Sequence, residues 1–349
     1  MNRRAFIAAA GTLPWAIAGC AHSPKSRSEW KQLAPIPNAL GVAAPFAGVS
    51  GETLLVGGGA NFPNGLPWEG GKKVWHDVVY KLDAPDGQWS VAGKLPRPLA
   101  YGVSVSTPQG LVSIGGSDSA RHYPGAFRLD TNGESLRVEP LPDLPKPLAN
   151  AAGALVGNRI LVCGGSTEPG EHSALNQLWS LDLSKLSVGW RELAALPAEP
   201  RFLSIAASND DAFYLFGGVG LVTRDGKSSR AYLKDAWKFC IVAGWNRLAD
   251  LPNPLAAAPS PAPVVGNEIL VLPGDDGSQF GFQPAEKHPG FARRILAYDL
   301  QHNTWRDAGN VPFAQVTTPC VRWRSRIVVP SGEVRPGVRL PTVWSLKNP

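Results

Sequence analysis

Carboxylate, guanidinium, ammonium and carboxamide groups crowd into four polar stretches of this 349-residue chain. Residues 60–76 hold Asn61, Glu69, Lys72 and Lys73, and residues 220–234 hold Arg224 and Arg230. Residues 275–293 carry Asp275, Asp276, Glu286, His288 and Arg293, and the fourth stretch reads Gly332-Glu333-Val334-Arg335-Pro336-Gly337-Val338-Arg339-Leu340. Side chains of these types move protons and hold anions. Other chemistries lack their residues. There is no HExxH or CxxC metal set and no Ser in a G-x-S-x-G context. Gly57 to Gly65 does not open a helix, so it is no phosphate cradle. Asp275-Asp276-Gly277 reads as a turn, because no twelve-residue calcium pattern follows it. Neither a metal nor a cofactor is expected.

The elements that must position these groups repeat. Trp30, Trp89, Trp190, Trp245 and Trp305 each precede a proline by seven residues, and Val138 stands seven before Pro145 in the copy without a Trp. Each restart leads to a glycine doublet: 58–59, 115–116, 164–165 and 217–218, degrading to Pro273-Gly274 and Ser331-Gly332. The last glycines are 57, 49, 53, 56 and 58 residues apart. A period near 50 carrying only strand-type alternation signals an all-β, six-bladed propeller of kelch type. Within a blade, the small apolar run after each proline (Tyr101 to Ser106, Phe202 to Ala207) belongs innermost, near the crowded axis. The strand ending in glycines comes second, the aromatic strand (Tyr80, Phe127, Trp179, Trp237, Trp344) third, and the Trp strand outermost. Antiparallel alternation then places the loops between second and third strands, which are the four polar stretches, on one face with the blade-to-blade connections. The sixth copy stops after its third strand, and Glu29 to Leu33 supplies the fourth, which closes the ring.

The first nineteen residues read as an address. Asn2-Arg3-Arg4-Ala5-Phe6-Ile7 resembles a twin-arginine export motif, and Ile17-Ala18-Gly19-Cys20 resembles a lipobox that would acylate Cys20. The expected organisation is a signal peptide over 1–19, a lipidated tether over 20–28 and a propeller over 29–349. The protein would sit in the periplasm, touching a membrane through the lipid alone. Ala21 after the Cys leans towards the outer membrane. A formal charge of +6 loses two with Arg3 and Arg4, leaving +4 scattered without a basic block. That suits a small anion and no nucleic acid. Cys163, Cys240 and Cys320 fall on apolar strand patterns and read as buried thiols, with at most one disulfide among them. A monomer or weak homodimer is expected.

Two of the polar stretches carry a resemblance. Asn61-Phe62-Pro63 with Pro67-Trp68-Glu69-Gly70-Gly71-Lys72-Lys73, and Gly332-Glu333-x-x-Pro336-Gly337-x-Arg339, resemble loops of the bacterial sialic acid mutarotases, the N-acetylneuraminate epimerase family; Ala100-Tyr101-Gly102-Val103-Ser104 matches as well. The resemblance implies a six-bladed kelch propeller that interconverts the anomers of an anionic sugar, sialic acid, by acid/base-assisted ring opening. It implies Glu333 as general acid/base and Arg339 as the clamp on the substrate carboxylate. Asn61, Glu69, Lys72 and Lys73 follow as substrate contacts. The order of blades differs, with the Glu/Arg loop last in this chain, which resembles a cyclically permuted branch. Leu99 stands where the family often has Arg, with Arg97 two residues earlier. Two other readings compete. One is a non-catalytic kelch module that binds a glycan or protein in the cell envelope. The other is a copper propeller of the galactose-oxidase kind, which the scattered six histidines disfavour.

Overall fold

In a computed structural model, residues 29–131, 135–170, 173–209, 211–224 and 227–347 are described. The export motif, Cys20 and the tether lie outside them. Six four-stranded antiparallel sheets form the blades, and the described residues contain no helix beyond three short 3-10 turns. Among them no helix is long and apolar enough to cross a membrane.

The first blade takes Phe46–Ser50, Thr53–Gly57, Val78–Leu82 and Ser90–Lys94 from the axis outwards, and the next four repeat that order. Inner strands of successive blades pack on one another around the axis, including blade six on blade one. The sixth blade combines Val321–Trp323, Arg326–Pro330 and Val343–Lys347 with the N-terminal Trp30–Leu33. Trp30 stands opposite Leu346 and Leu33 opposite Val343, so the ring is closed by strand pairing as the repeat count predicts.

The Trp of the repeat ties blades together. The indole N–H of Trp89, Trp190, Trp245 and Trp305 donates to the carbonyl of Ala34, Pro142, Ala194 and Ala249, each in the preceding blade, at 2.7–2.8 Å. Blade two has Val138 instead, and there the Leu136 N–H donates to Ala92 at 3.1 Å. A half-buried amphipathic indole with one donor meets both needs of the seam, apolar area and a partner for a carbonyl.

The innermost strands begin two and three residues later than the sequence suggests, at Val103 and Ile205. The reason is a backbone device at their heads. Ala44, Tyr101, Asn150, Leu203, Ala257 and Thr317, one per blade, all have φ between +49° and +66°. This left-handed turn takes each peptide group out of its own ladder. Each N–H donates to the carbonyl of the equivalent residue one blade back, and Ala44 donates to Thr317, which completes a circle of six hydrogen bonds of 2.7–3.1 Å. Left-handed backbone costs an L-residue about 1–2 kcal/mol, which the circle offsets.

Blade four departs from expectation. Residues 220–234 read as a loop, but the second and third strands run on as one long hairpin, Ala212–Arg224 with Lys227–Cys240, broken only by a register shift between Phe216 and Gly218. Alternating apolar and β-branched residues (Val219, Leu221, Thr223) sustain strand geometry there. Cys163 and Cys320 are buried, Cys240 is half-buried, and all three are free thiols. Burial pushes the thiols of Cys163 and Cys320 up to about 12.

Candidate active site

The circle of left-handed residues separates two cavities. Beneath it lies a small one of about 80 Å³ walled by Gly102, Ser104, Ser204 and Ser260. Above it opens one of about 490 Å³, whose floor includes Tyr101, Asn150, Leu203, Ala257 and Thr317. Its walls are the loops between second and third strands, on the face where the strand order puts them.

The walls follow a six-fold register. The residue after the last glycine of each doublet makes an antiparallel bridge to the residue just before the circle: Ala60 to Ala43, Ser117 to Ala100, Ser166 to Ala149, Val219 to Phe202, Asp275 to Ala256 and Glu333 to Val316. Two neighbouring blades thus place a carboxylate at the same structural position, and both Asp275 and Glu333 line the cavity. In the sequence Asp275 stands among the polar residues of 275–293 but, within Asp275-Asp276-Gly277, reads as a turn and not as a site residue. The glycine register, counted one step further, would have found it.

Glu333 and Arg339 face one another across a small hairpin, Glu333–Arg335 with Val338–Arg339. Glu333 Oε1 accepts from the Gly337 N–H at 2.6 Å and lies 3.3 Å from Arg339 Nη2. Gly337 has φ +83°, and a Cβ there would stand 2.8 Å from Pro67 Cγ, so the hairpin docks closely on the blade-one loop. Arg335 stacks on Trp68 at 5.7 Å and donates to the Glu286 carbonyl at 2.7 Å, which ties blades one, six and five together. Trp68 is a plug between loops.

The Arg339 guanidinium is 4 % exposed and rests 4.7 Å from the centre of the Phe62 ring. Its Nε and Nη1 are buried with no hydrogen-bond partner among the described residues. Lys73 Nζ lies 5.9 Å from the same Phe62 ring, 5.6 Å from Trp75 and 5.1 Å from Tyr101. Phe62 belongs to the recognised motif, yet nothing in the sequence marks it as a platform shared by two cations.

The other blade-one residues sit elsewhere. Asn61 is 2 % exposed and structural: its amide donates to Asn38 Oδ1 (3.1 Å) and the Gly41 carbonyl (2.8 Å), and its oxygen accepts from His76 Nε2 (2.9 Å). Glu69 is exposed and accepts from the Leu66 N–H at 2.8 Å, capping the 3-10 turn Pro67–Glu69. Lys72 is exposed, and neither it nor Glu69 or Asn61 lines the cavity. Arg97 is exposed too, 4.5 Å over the Tyr123 ring. In blade four the position of Leu99 is held by Arg201, buried and paired to Asp235 through two hydrogen bonds of 2.6 and 2.8 Å. An Arg at that position is a strut in this chain, and Leu99 replaces one with apolar packing.

Three further polar groups complete the rim. His122 is buried, its Nε2 3.2 Å from Ser166 Oγ; burial holds its pKa below the usual value, so the imidazole is neutral near pH 7. Asp118 is pushed up by burial, but its hydrogen bonds from Tyr123 and the N–H groups of Ala120 and Arg121 outweigh that and hold it ionised. Asp275 accepts from the Tyr232 hydroxyl at 2.7 Å and the Gly277 N–H at 2.9 Å. Burial, then Asp275, pushes the Tyr232 phenol up to about 12. Arg230 donates to Tyr232 Oη and stacks on Phe280 at 5.1 Å; Arg224 falls outside the described side chains. The described residues hold no group of three or more metal-ligating side chains.

A six-bladed propeller thus carries, above the hydrogen-bonded circle at its axis, a polar cavity walled by carboxylates and cations. Comparison with known proteins narrows the class. The sequence matches the N-acetylneuraminate epimerase family over residues 18–138 and 141–282, and the chain belongs to that family. Relatives named N-acetylneuraminate epimerase include one from Yersinia pestis (strain Pestoides F), 28% identical over 233 residues that cover 59% of this chain and 57% of the relative. One from Brucella suis (strain ATCC 23445 / NCTC 10510) is 38% identical over 128 residues, 32% of each chain. The match to the Yersinia relative thus spans somewhat over half of its length. The solved structure of YjhT shares the fold, with a TM-score of 0.65 at 15% identity, covering 88% of this chain and 95% of that one. Blade six, with Glu333 and Arg339, lies largely beyond the stretches matched by the family.

Proposed function

We propose that this protein is an isomerase that speeds interconversion of the α and β anomers of N-acetylneuraminate. Glu333 takes the proton of the anomeric hydroxyl, and Arg339 holds the substrate carboxylate. The observation that carries the reading is the state of Arg339: a buried guanidinium with two donors unspent, fixed beside the Glu333 side chain. A buried unsatisfied donor costs about 1–3 kcal/mol, and a ligand carboxylate is the complementary acceptor for such donors. Family membership supports the choice of sugar. The cavity of about 490 Å³ is of the size that small-molecule sites have.

On this reading the chain is a circular permutant. The blade bearing the Glu/Arg hairpin lies largely outside the matched stretches, and a ring closed by strand pairing keeps its radial contacts wherever the chain is cut. We place the protein in the periplasm on a lipid at Cys20, on the strength of the export and lipobox resemblances alone; mass spectrometry of the membrane fraction tests it.

The decisive experiment dissolves crystalline β-N-acetylneuraminic acid and follows its anomers by proton NMR with and without the purified chain. Faster approach to an unchanged equilibrium is expected. Binding without acceleration leaves a sialate-binding module and sinks the enzymatic reading.

A further inference from the structure

Opening a cyclic hemiketal takes two proton transfers, one from the anomeric hydroxyl and one to the ring oxygen, and both oxygens hang on the same carbon. Glu333 accounts for one. We infer that Lys73 is the proton donor to the ring oxygen, an inference that rests on the mutarotase reading.

The donor must line the cavity, carry a proton it can release, and stand close to Glu333. Asp118 and Asp275 are acceptors already, engaged by Tyr123 and by Tyr232. Arg230 and Arg339 hold their protons at any working pH. His122 stands in blade two, which is not adjacent to blade six, and its Nε2 is already bonded to Ser166 of blade three. A group turned towards blade three and separated from Glu333 by the whole of blade one is poorly placed to share one carbon's oxygens with it.

Lys73 meets each condition. It lines the cavity, and its ammonium makes no hydrogen bond or ion pair with any described residue. Three aromatic rings contact it, and none of them can take a proton from it. All three N–H bonds are therefore available to a ligand oxygen. Blade one neighbours blade six, and Lys73 and Arg339 lie against the same Phe62 ring, with Glu333 3.3 Å beyond Arg339 Nη2. The position is rigid. Lys73 precedes the two-residue strand Val74–Trp75, paired to Ala60–Asn61, whose Asn61 amide is locked by Asn38, Gly41 and His76.

The step balances. The Glu333 carboxylate takes the anomeric hydroxyl proton as the carbonyl forms. The bond from that carbon to the ring oxygen breaks with its electron pair going to the ring oxygen, which takes a proton from Lys73. The open-chain keto acid then lies between neutral Glu333 and a neutral amine. Rotation about the adjacent carbon–carbon bond presents the other carbonyl face. Closure returns the hydroxyl proton to Lys73 and the Glu333 proton to the anomeric oxygen.

The test compares wild type, Lys73→Arg and Lys73→Ala in the NMR assay, with thermal unfolding as a check on the fold. Arginine keeps the charge and the ring contacts but does not release a proton. Lys73→Arg is expected to keep KM within a few-fold and lose about 10²–10⁴-fold in kcat. Lys73→Ala should regain part of its rate with added ethylammonium. A Lys73→Arg enzyme with wild-type kcat, or one changed in KM alone, would make Lys73 a charge contact and overturn the inference. Wild type without any acceleration overturns the mutarotase reading itself, which this arm separates from failure of the Lys73 role.

Discussion

Glu333 and Arg339 are cross-strand partners in a hairpin of five residues between them, and the ion pair at 3.3 Å leaves Arg339 Nε and Nη1 buried without acceptors. The pair is anchored by backbone, through Glu333 to Val316 and through the Gly337 N–H to the carboxylate. Val316 directly precedes Thr317 of the axial circle. Reactive groups and ring closure are therefore one continuous piece of structure.

Glu333→Gln keeps the shape and an acceptor for the Gly337 N–H but cannot take a proton. Its anomerisation rate should fall by about 10²–10⁴-fold with an unchanged unfolding midpoint. An unaltered kcat in the NMR assay would remove Glu333 from the mechanism.

Arg339→Met separates binding from stability. It removes the donors that a carboxylate would meet, so sialate affinity should fall at least tenfold by titration calorimetry. It also removes buried donors that have no acceptor, but it leaves Glu333 without its counter-charge, and losing one partner of an ion pair is destabilising. The two effects oppose, so the thermal midpoint is expected to shift little; a marked fall would show the guanidinium to be a structural strut.

Thr317 is a β-branched residue at φ +51°, where Asn is far more at ease. Blade three already has Asn150 at the equivalent place, with φ +57°. Thr317→Asn should raise stability by about 1 kcal/mol, read as a higher denaturation midpoint. No gain would mean that the circle of hydrogen bonds relieves the strain entirely.

The Arg201–Asp235 pair sets a pH dependence. Burial opposes ionisation of Asp235, but hydrogen bonds and charge from Arg201 outweigh it and hold the carboxyl below its usual value. A depressed carboxylate contributes stability above its unfolded pKa, and that contribution is lost as pH falls through the folded value. The unfolding midpoint should therefore drop on acidification below about pH 4. Asp235→Asn should be less stable at pH 7, because Arg201 is left buried without its counter-charge, and should lose this part of the acid slope. Parallel acid slopes in the two proteins would exclude the pair as their source.

Local periodicity encodes most of the architecture. Alternation, glycine doublets and the Trp-to-Pro step specify the strands, their order from axis to rim and the number of blades, because each depends on residues close along the chain. The closing strand Trp30–Leu33 follows from counting. The convergence of 60–76 and 332–340 on one mouth follows from antiparallel alternation. Tertiary structure alone decided which polar groups keep their donors for a ligand. Asn61, which stands in the motif like a substrate contact, spends its amide on Asn38, Gly41 and His76, and Glu69 caps its own turn. Lys73 and Arg339, in blades at opposite ends of the chain, meet on Phe62. The circle through Ala44, Tyr101, Asn150, Leu203, Ala257 and Thr317 is likewise written nowhere locally, since its bonds join residues about 50 to 60 apart or, for Ala44 and Thr317, residues from the first and last blades. Hydrogen-bond satisfaction is settled by such distant neighbours, and a strand pattern carries no record of them.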